Sequence, residues 1–199
     1  MEGTLKKYAL LLATTSLALS PLNALAADDG SGLVFGVGVG YDQSNLDDFI
    51  EGTGGPSASS PDAELGTDIY IGFAANQSLT VRFGHRRFGD AESEVFNGLA
   101  DVDLEADGFY AAVDLLFPVT DRFFVGGTLG NQGIDAELSA GGSSVDDDAR
   151  NFYYGARAKW LLGESSALTA AYNLYSFEVD DAGEDIEYDT LAVGLEWRF

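Results

Sequence analysis

The sequence predicts an all-β fold, an eight-stranded antiparallel up-and-down transmembrane β-barrel, on three observations. Residues 188–199 alternate between apolar side chains and polar or small ones, and they end on Phe199. Seven earlier segments alternate in the same way, and alternate side chains of a strand point to opposite faces. A predicted export signal precedes all eight. A barrel with lipid outside and a polar lumen inside accounts for strands of this kind.

Residues 1–26 are predicted to be a cleaved signal peptide, and residues 27–199 form the barrel domain. Two lysines precede an apolar run, and residues 24–26 (Ala-Leu-Ala) have the small-x-small pattern of a cleavage site. The alternative is a membrane anchor. The apolar run, 8–19, is short for a spanning helix, and Pro21 follows it.

The composition excludes several classes of protein. The formal net charge of -23 leaves few Lys or Arg to neutralise phosphates, so no nucleic-acid partner is expected. The chain has no cysteine, which excludes disulfides, thiol metal ligands and a lipid-modified cysteine. Aromatic residues make up 12% of the chain, and with the regular alternation this argues against disorder. We expect no cofactor.

Eight predicted strands cover most of the mature chain, and no proline falls inside one. The facing of the seventh is the least clear. The strands are 33–41, 68–73, 79–86, 109–117, 123–129, 152–160, 168–177 and 188–199.

The connections between these strands are unequal in length. Three are tight turns, at 76–78, 119–121 and 163–165, and four are longer, at 42–64, 88–106, 131–149 and 178–187. Outer-membrane barrels have short periplasmic turns and long external loops, so we expect both termini in the periplasm of a Gram-negative bacterium. We expect a monomer. The alternative is a soluble ligand-carrying barrel, which would be apolar inside and would turn its charged strand residues outward.

The chain resembles the OmpA-type and OmpX-type small barrels of the porin-like outer-membrane β-barrel superfamily. Two segments carry the resemblance, the C-terminal Gly194-Leu195-Glu196-Trp197-Arg198-Phe199 and the strand-turn-strand segment 114–122. The resemblance implies that Gly194, Leu195, Trp197 and Phe199 form the signal that the barrel assembly machinery reads. It also implies contact with outer-membrane lipids and lipopolysaccharide.

The charged side chains on the inward face are the main candidate site. We expect an ion-pair network in the lumen, with Arg82 close enough to Asp114 for an ion pair, because buried charges need partners. One interpretation is a structural plug and the other is a narrow, gated ion path. The expected members are Arg82, Arg86, Asp114, Arg157, Lys159, Glu196 and Arg198.

The four long loops are acidic. They hold six, six, five and six Asp or Glu residues in chain order, 23 in total, and no Lys or Arg. Such a surface concentrates cations, and one interpretation is that it recruits divalent ions or a basic surface partner. The other interpretation, which we favour, is a solvated surface of like charge. Residues 103–114 match a calcium-binding loop only weakly, and we predict no metal site. Phe96, Leu99 and Val102 are alternatively extensions of the strands beyond the membrane.

His85 is the single histidine, so any histidine-based chemistry would have to use it. Some eight-stranded barrels are lipid A deacylases with a His-x-Ser motif, and Arg87 stands where that serine would be. No catalytic residues are predicted, and the chain is not expected to be an enzyme. The expected role is structural or surface-interacting through the acidic loops. The alternatives are a passive narrow ion channel and, less favoured, a lipid A-modifying enzyme.

Overall fold

The computed structural model describes residues 30–52, 54, 58–59, 63–95, 100–140, 143–178 and 185–199. The predicted signal peptide lies outside these residues. The strands are β1 (Gly32–Ser44), β2 (Glu64–Ala74), β3 (Leu79–Arg87), β4 (Ala91–Val95), β5 (Ala100–Pro118), β6 (Phe123–Ala140), β7 (Ser143–Leu161), β8 (Ser166–Glu178) and β9 (Asp185–Arg198), with one short helix, α1 (Leu46–Gly52), after β1.

Eight of the strands form a closed antiparallel barrel. β1 pairs with β2 and with β9, and neighbouring strands then pair around the wall until β5 meets β3. The predicted fold class is therefore confirmed. The short strand β4 follows β3 after a break at 88–90 and pairs with the part of β5 beyond β3.

The barrel has two unlike ends. One end carries the three short turns and the C-terminus, and we call it the turn end; we call the opposite end the hairpin end. Asn76 Oδ1 accepts hydrogen bonds from the backbone N–H groups of Ser78 (2.7 Å) and Leu79 (3.0 Å). Thr120 Oγ1 accepts one from Phe123 N–H at 3.0 Å. Side-chain oxygens thus stabilise both turns, as short Asn and Thr side chains commonly do.

The side chains alternate between the lumen and the outer surface. On β5, Phe109 and Val113 are exposed outside, whereas Tyr110 and Asp114 are buried inside. The facing of β8, which was the least clear from the sequence, follows the same rule, with Thr169, Asn173 and Tyr175 buried in the lumen. A soluble ligand-carrying barrel would have the reverse arrangement, with apolar side chains inside and charged side chains outside.

The prediction of loops at 88–106 and 131–149 is wrong over most of these two ranges. β5, β6 and β7 continue through them as paired strands. Asp103, Glu105, Asp135 and Glu137 are exposed on the outer face, while Leu104, Ala106 and Ile134 continue the inward face. Val102 is buried on β5, in agreement with the strand-extension alternative; Phe96 and Leu99 lie outside the described residues.

Candidate functional site: the barrel lumen

Asp114 is the centre of the charged network in the lumen. Arg82 Nε lies 2.7 Å from Asp114 Oδ2, and Arg82 Nη2 donates to Oδ1 at 3.0 Å. Thr128 Oγ1 donates to Oδ1 at 2.5 Å, and Arg157 Nε lies 3.4 Å from Oδ2. All four side chains are buried. The pair that the sequence suggested is therefore one part of a larger buried cluster.

Glu196 is the second acid of this cluster. Its Oε1 accepts a hydrogen bond from Lys159 Nζ at 2.9 Å, and its Oε2 accepts one from the Tyr70 hydroxyl at 2.9 Å. Arg157 Nη2 donates to the same hydroxyl at 2.8 Å and lies 3.5 Å from Oε2. Since Arg157 also contacts Asp114, it joins the two acids into one network.

A second, separate pair lies nearer the hairpin end. Arg86 Nη2 donates to Asp42 Oδ1 at 2.5 Å, and Thr190 Oγ1 donates to the same oxygen at 2.6 Å. The other oxygen of Asp42 accepts the backbone N–H of Gly89 at 3.0 Å. The sequence analysis missed Asp42 because it counted that residue among the acids of the first loop. The alternation of β1, continued one residue past Tyr41, would have placed it inside.

Arg198 occupies a different position from the other predicted lumen residues. Its guanidinium donates to the carbonyl oxygens of Gly30 (3.1 Å) and Glu164 (2.5 Å) at the turn end. It forms no ion pair with an acid among the described residues. Arg198 therefore makes its contacts at the rim of the barrel. The other six predicted network residues are buried in the lumen.

A layer of tyrosines fills the middle of the lumen. Tyr110 donates to Asp68 at 2.9 Å, and the rings of Tyr153 and Tyr175 stack with centroids 4.7 Å apart. Three tyrosine rings each lie over a glycine that is their register partner on the neighbouring strand. A Cβ at any of these glycines would overlap the ring. The pairs are Tyr70 with Gly36, Tyr110 with Gly84 and Tyr153 with Gly130.

The hairpin end of the lumen is closed by an apolar cluster, which we call the apolar cap. Its largest fully buried members include Leu46, Phe88, Leu104, Ile134 and Tyr188. Leu46 and Ile50 are four residues apart on α1, so both point from one side of the helix into the cluster. The sequence analysis did not predict this cap because it treated residues 42–64 as an exposed loop.

The space left in the lumen is small. A cavity of about 20 Å³ lies between the two charged clusters, lined by Asp68, Arg82, Arg86, Tyr153 and Asn173 among others. A volume of this size holds about one water molecule. Side chains therefore leave little free space at this level of the lumen.

The predicted assembly segment closes the barrel. Phe199 N–H donates to the Leu33 carbonyl at 2.8 Å, and Leu33 N–H donates to the Phe199 carbonyl at 3.1 Å. Trp197 stacks on Phe35 with centroids 6.1 Å apart. Gly194 lies opposite Gly38, where a Cβ would come within 2.7 Å of the Val37 carbonyl. Leu195 pairs with Val37 on β1 and Leu168 on β8.

The remaining residues considered from sequence are His85 and the acids of residues 103–114. His85 Nε2 lies 2.7 Å from Asp107 Oδ2 on the outer surface. Asp103, Glu105 and Asp107 lie on the outer side of one strand, whereas Asp114 points into the lumen, so the weak calcium-loop pattern does not converge. Within the described ranges, no group of three or more His, Cys, Asp or Glu residues could hold a metal ion.

The chain belongs to the outer membrane protein beta-barrel domain family, whose model matches residues 9–199. The family places it in the Gram-negative outer membrane. No curated protein sequence matches the chain at a significant level. Within the described residues, no helix has the length and apolar character needed to cross a membrane.

Solved structures of small outer-membrane barrels share the fold. Ail of Yersinia pestis, in complex with the heparin analogue sucrose octasulfate, has 18% identity and a TM-score of 0.56 over 85% of this chain and 99% of its own. Neisserial surface protein A has 12% identity and a TM-score of 0.61 over 85% and 99%. OprG of Pseudomonas aeruginosa has 15% identity and a TM-score of 0.50 over 87% and 98%.

Proposed function

We propose that this protein is a closed, non-conducting outer-membrane barrel that serves as a scaffold for its acidic hairpin end. The observation that carries the proposal is the filled lumen. A charged network, a tyrosine layer and the apolar cap follow one another along its axis, and the cavity between them has a volume of only about 20 Å³. A hydrated ion needs a continuous wider path.

The charges inside the lumen support the same conclusion because they balance. Four cationic side chains lie inside, and four carboxylates accompany them. Charges that are paired and hydrogen-bonded hold their partners in place, and removal of one leaves another buried without compensation. The cations are Arg82, Arg86, Arg157 and Lys159, and the acids are Asp42, Asp68, Asp114 and Glu196.

We propose that the turn end, with both termini, faces the periplasm and that the hairpin end faces the medium. Short turns at one end and long strand extensions at the other support this orientation. In this proposal residues 1–26 direct export, and the assembly machinery reads the last strand during insertion. The finished barrel is a monomer surrounded by outer-membrane lipids and, in the outer leaflet, lipopolysaccharide.

The hairpin end is proposed to engage a basic surface partner or divalent cations. Glu92, Asp103, Glu105 and Glu137 are exposed on the outer faces of β4, β5 and β6. The Ail structure holds a polysulfated sugar, and a polyanion of that kind requires a cationic surface. The opposite sign of this surface favours a cationic partner, since complementary potentials guide association.

Planar-bilayer recording of the refolded mature protein tests the scaffold proposal. We expect no steady single-channel conductance from material whose β structure is confirmed by circular dichroism. Steady conductance that changes when Asp114→Asn or Arg157→Gln is introduced would instead make the protein a narrow channel. Deacylation of lipid A by the same preparation would establish enzymatic activity and contradict the scaffold as its sole role.

A further inference from the structure

The strands that continue past the closed barrel at the hairpin end form a sheet with two edges. β3 pairs with β5 as far as Arg87 and Asp107, and β8 pairs with β7 as far as Tyr175 and Tyr153. Beyond these points β4, β5, β6 and β7 remain paired in that order. We call this part of the wall the extended sheet. Its two edges, among the described residues, are β4 and β7.

The edge formed by β4 is covered by a segment that follows α1. Ser59 N–H donates to the Glu94 carbonyl at 2.9 Å, and Glu94 N–H donates to Ser59 Oγ at 2.9 Å. Ser93 Oγ donates to the Ser59 carbonyl at 2.9 Å. Coverage of this kind is a common way to protect a strand edge from pairing with another chain.

The edge formed by β7 has no such cover in the part of the chain that the structure describes. Residues 143–152 pair with β6 on one side, and on the other side the pairing with β8 stops at Tyr153. No backbone–backbone hydrogen bond joins residues 143–152 to a described element other than β6. We call this side of residues 143–152 the β7 edge. Since every second residue directs its N–H and C=O to the same side, residues 143–150 offer about four of each.

Buried amide groups without partners lie where the β7 edge begins. Asn151 Nδ2 is buried and has no hydrogen-bond partner among the described residues. Gln132, its register partner on β6, is 1% exposed, and both atoms of its amide group also lack a partner there. Both residues belong to the inward face. A strand added at the β7 edge would place a side chain beside Asn151 on that face, where a hydroxyl or amide could pair with it.

The charge of the extended sheet determines which kind of strand fits the β7 edge. Residues 143–152 contain three aspartates and one arginine, and the register places Asp146 beside Glu137 and Asp148 beside Asp135. Antiparallel pairing of two copies about Asp147 would set the three aspartates of one copy opposite those of the other, and like charges directly opposite are destabilising. The net charge of this surface, and not any one free carboxylate, favours a cationic chain.

We propose that the β7 edge binds an extended basic peptide segment as an added strand. The backbone of the peptide pairs with residues 143–150, and its lysine or arginine side chains lie over the acidic outer face. A polar side chain of the peptide lies beside Asn151 on the inward face. The inference rests on the proposed function, because it specifies how a basic surface partner of the hairpin end is recognised.

Hydrogen exchange and peptide binding by the folded barrel in uncharged detergent micelles test this proposal. The probes are a short peptide in which lysine and threonine alternate and the same peptide with every backbone nitrogen methylated. We expect rapid exchange at alternate amides of residues 143–150, saturable protection of these amides by the first peptide, and at least about tenfold weaker binding of the methylated peptide. Protection of all these amides without peptide would show that the edge is already covered and would overturn the inference.

The two peptides separate recognition of the backbone from attraction by charge alone. Equal binding of the methylated peptide would also overturn the added strand, while the proposal of a basic partner would stand. If neither peptide binds, both the inference and the basic partner are wrong. Conductance is independent of these measurements, so the scaffold proposal is tested separately.

Two double variants locate the binding on the extended sheet. Asp146→Asn with Asp148→Asn should weaken binding of the lysine–threonine peptide about fivefold, because two charges at the β7 edge are lost. Glu92→Gln with Glu94→Gln removes the same charge from exposed positions of the covered edge and should change the binding little. If the two double variants weaken binding equally, the peptide responds to the total charge of the hairpin end and the assignment to β7 is wrong.

Discussion

The two halves of the lumen differ in the chemistry of the side chains that pack inside them. Near the turn end, the inward positions hold Arg82, Asp114, Arg157 and Glu196 in a continuous hydrogen-bonded network. Near the hairpin end, corresponding positions hold side chains such as Leu104 and Ile134, which belong to the same apolar cluster as Leu46 of α1. Both halves are filled and buried, although one is ionic and the other is apolar.

The difference reflects what surrounds each half. Where lipid covers the outer surface, the wall is apolar outside and the polar residues of the alternating strands must point inward. Where the strands extend past the apolar band, the exposed outer face is acidic and the apolar residues point inward, as in a water-soluble protein. The inversion begins at the Arg86–Asp42 pair, because Phe88 packs above that pair while Arg82 lies below it.

Removal of the Asp114 carboxylate should cause the largest loss of stability. Asp114→Ala leaves Arg82 and Arg157 buried without their shared acid, which typically costs about 3–5 kcal/mol. Urea unfolding of the barrel in lipid vesicles, followed by tryptophan fluorescence, measures the loss. Asp90→Ala is the matched control, because it breaks an exposed ion pair with Arg87 and should change the unfolding free energy by about 0–1 kcal/mol. Similar effects of the two variants would mean that water screens the lumen charges.

The free energy of unfolding should depend on the size of the side chains buried in the apolar cap and not on the exposed charges of α1. Leu46→Ala removes a fully buried side chain of α1 and should lower the free energy of unfolding by about 2–5 kcal/mol. Asp48→Ala, on the exposed side of the same helix, should change it by about 0.5 kcal/mol or less. Hydrogen exchange of the α1 amides in both variants shows whether the loss is local. An unchanged stability for Leu46→Ala would show that α1 contributes nothing to the cap.

The barrel itself could be predicted from the sequence because lipid imposes a strict rule on it. Alternation over eight segments fixes which side chains face inward, and the network residues from Arg82 to Glu196 follow directly from that assignment. The ion pair of Arg82 with Asp114 could also be predicted from the sequence, because the two residues lie on adjacent strands at similar distances from the turn end.

The hairpin end could not be predicted in the same way, because no membrane constrains its strands. The acids of β5 and β6 made these extensions resemble loops, although Leu104 and Ile134 continue the alternation. The partner of Arg86 was missed for a related reason, because Asp42 lies just past the apolar part of β1. Finally, the position of α1 at the hairpin end depends on packing between distant segments. A helix of seven residues also gives little periodicity to detect in the sequence.

The smallest of these effects tests the tyrosine layer between the two halves. Gly130→Ala places a methyl group where the Tyr153 ring lies, so the ring must move, and overpacking of this kind costs about 1–3 kcal/mol. Gly127→Ala on the same strand is the matched control, because its Cβ would point outward and meet only the Gly155 carbonyl at an ordinary 3.5 Å. Urea unfolding should therefore separate two identical substitutions three residues apart. If Gly130→Ala is as mild as Gly127→Ala, the tyrosines are mobile within the lumen, and the two halves are less tightly joined than their contacts indicate.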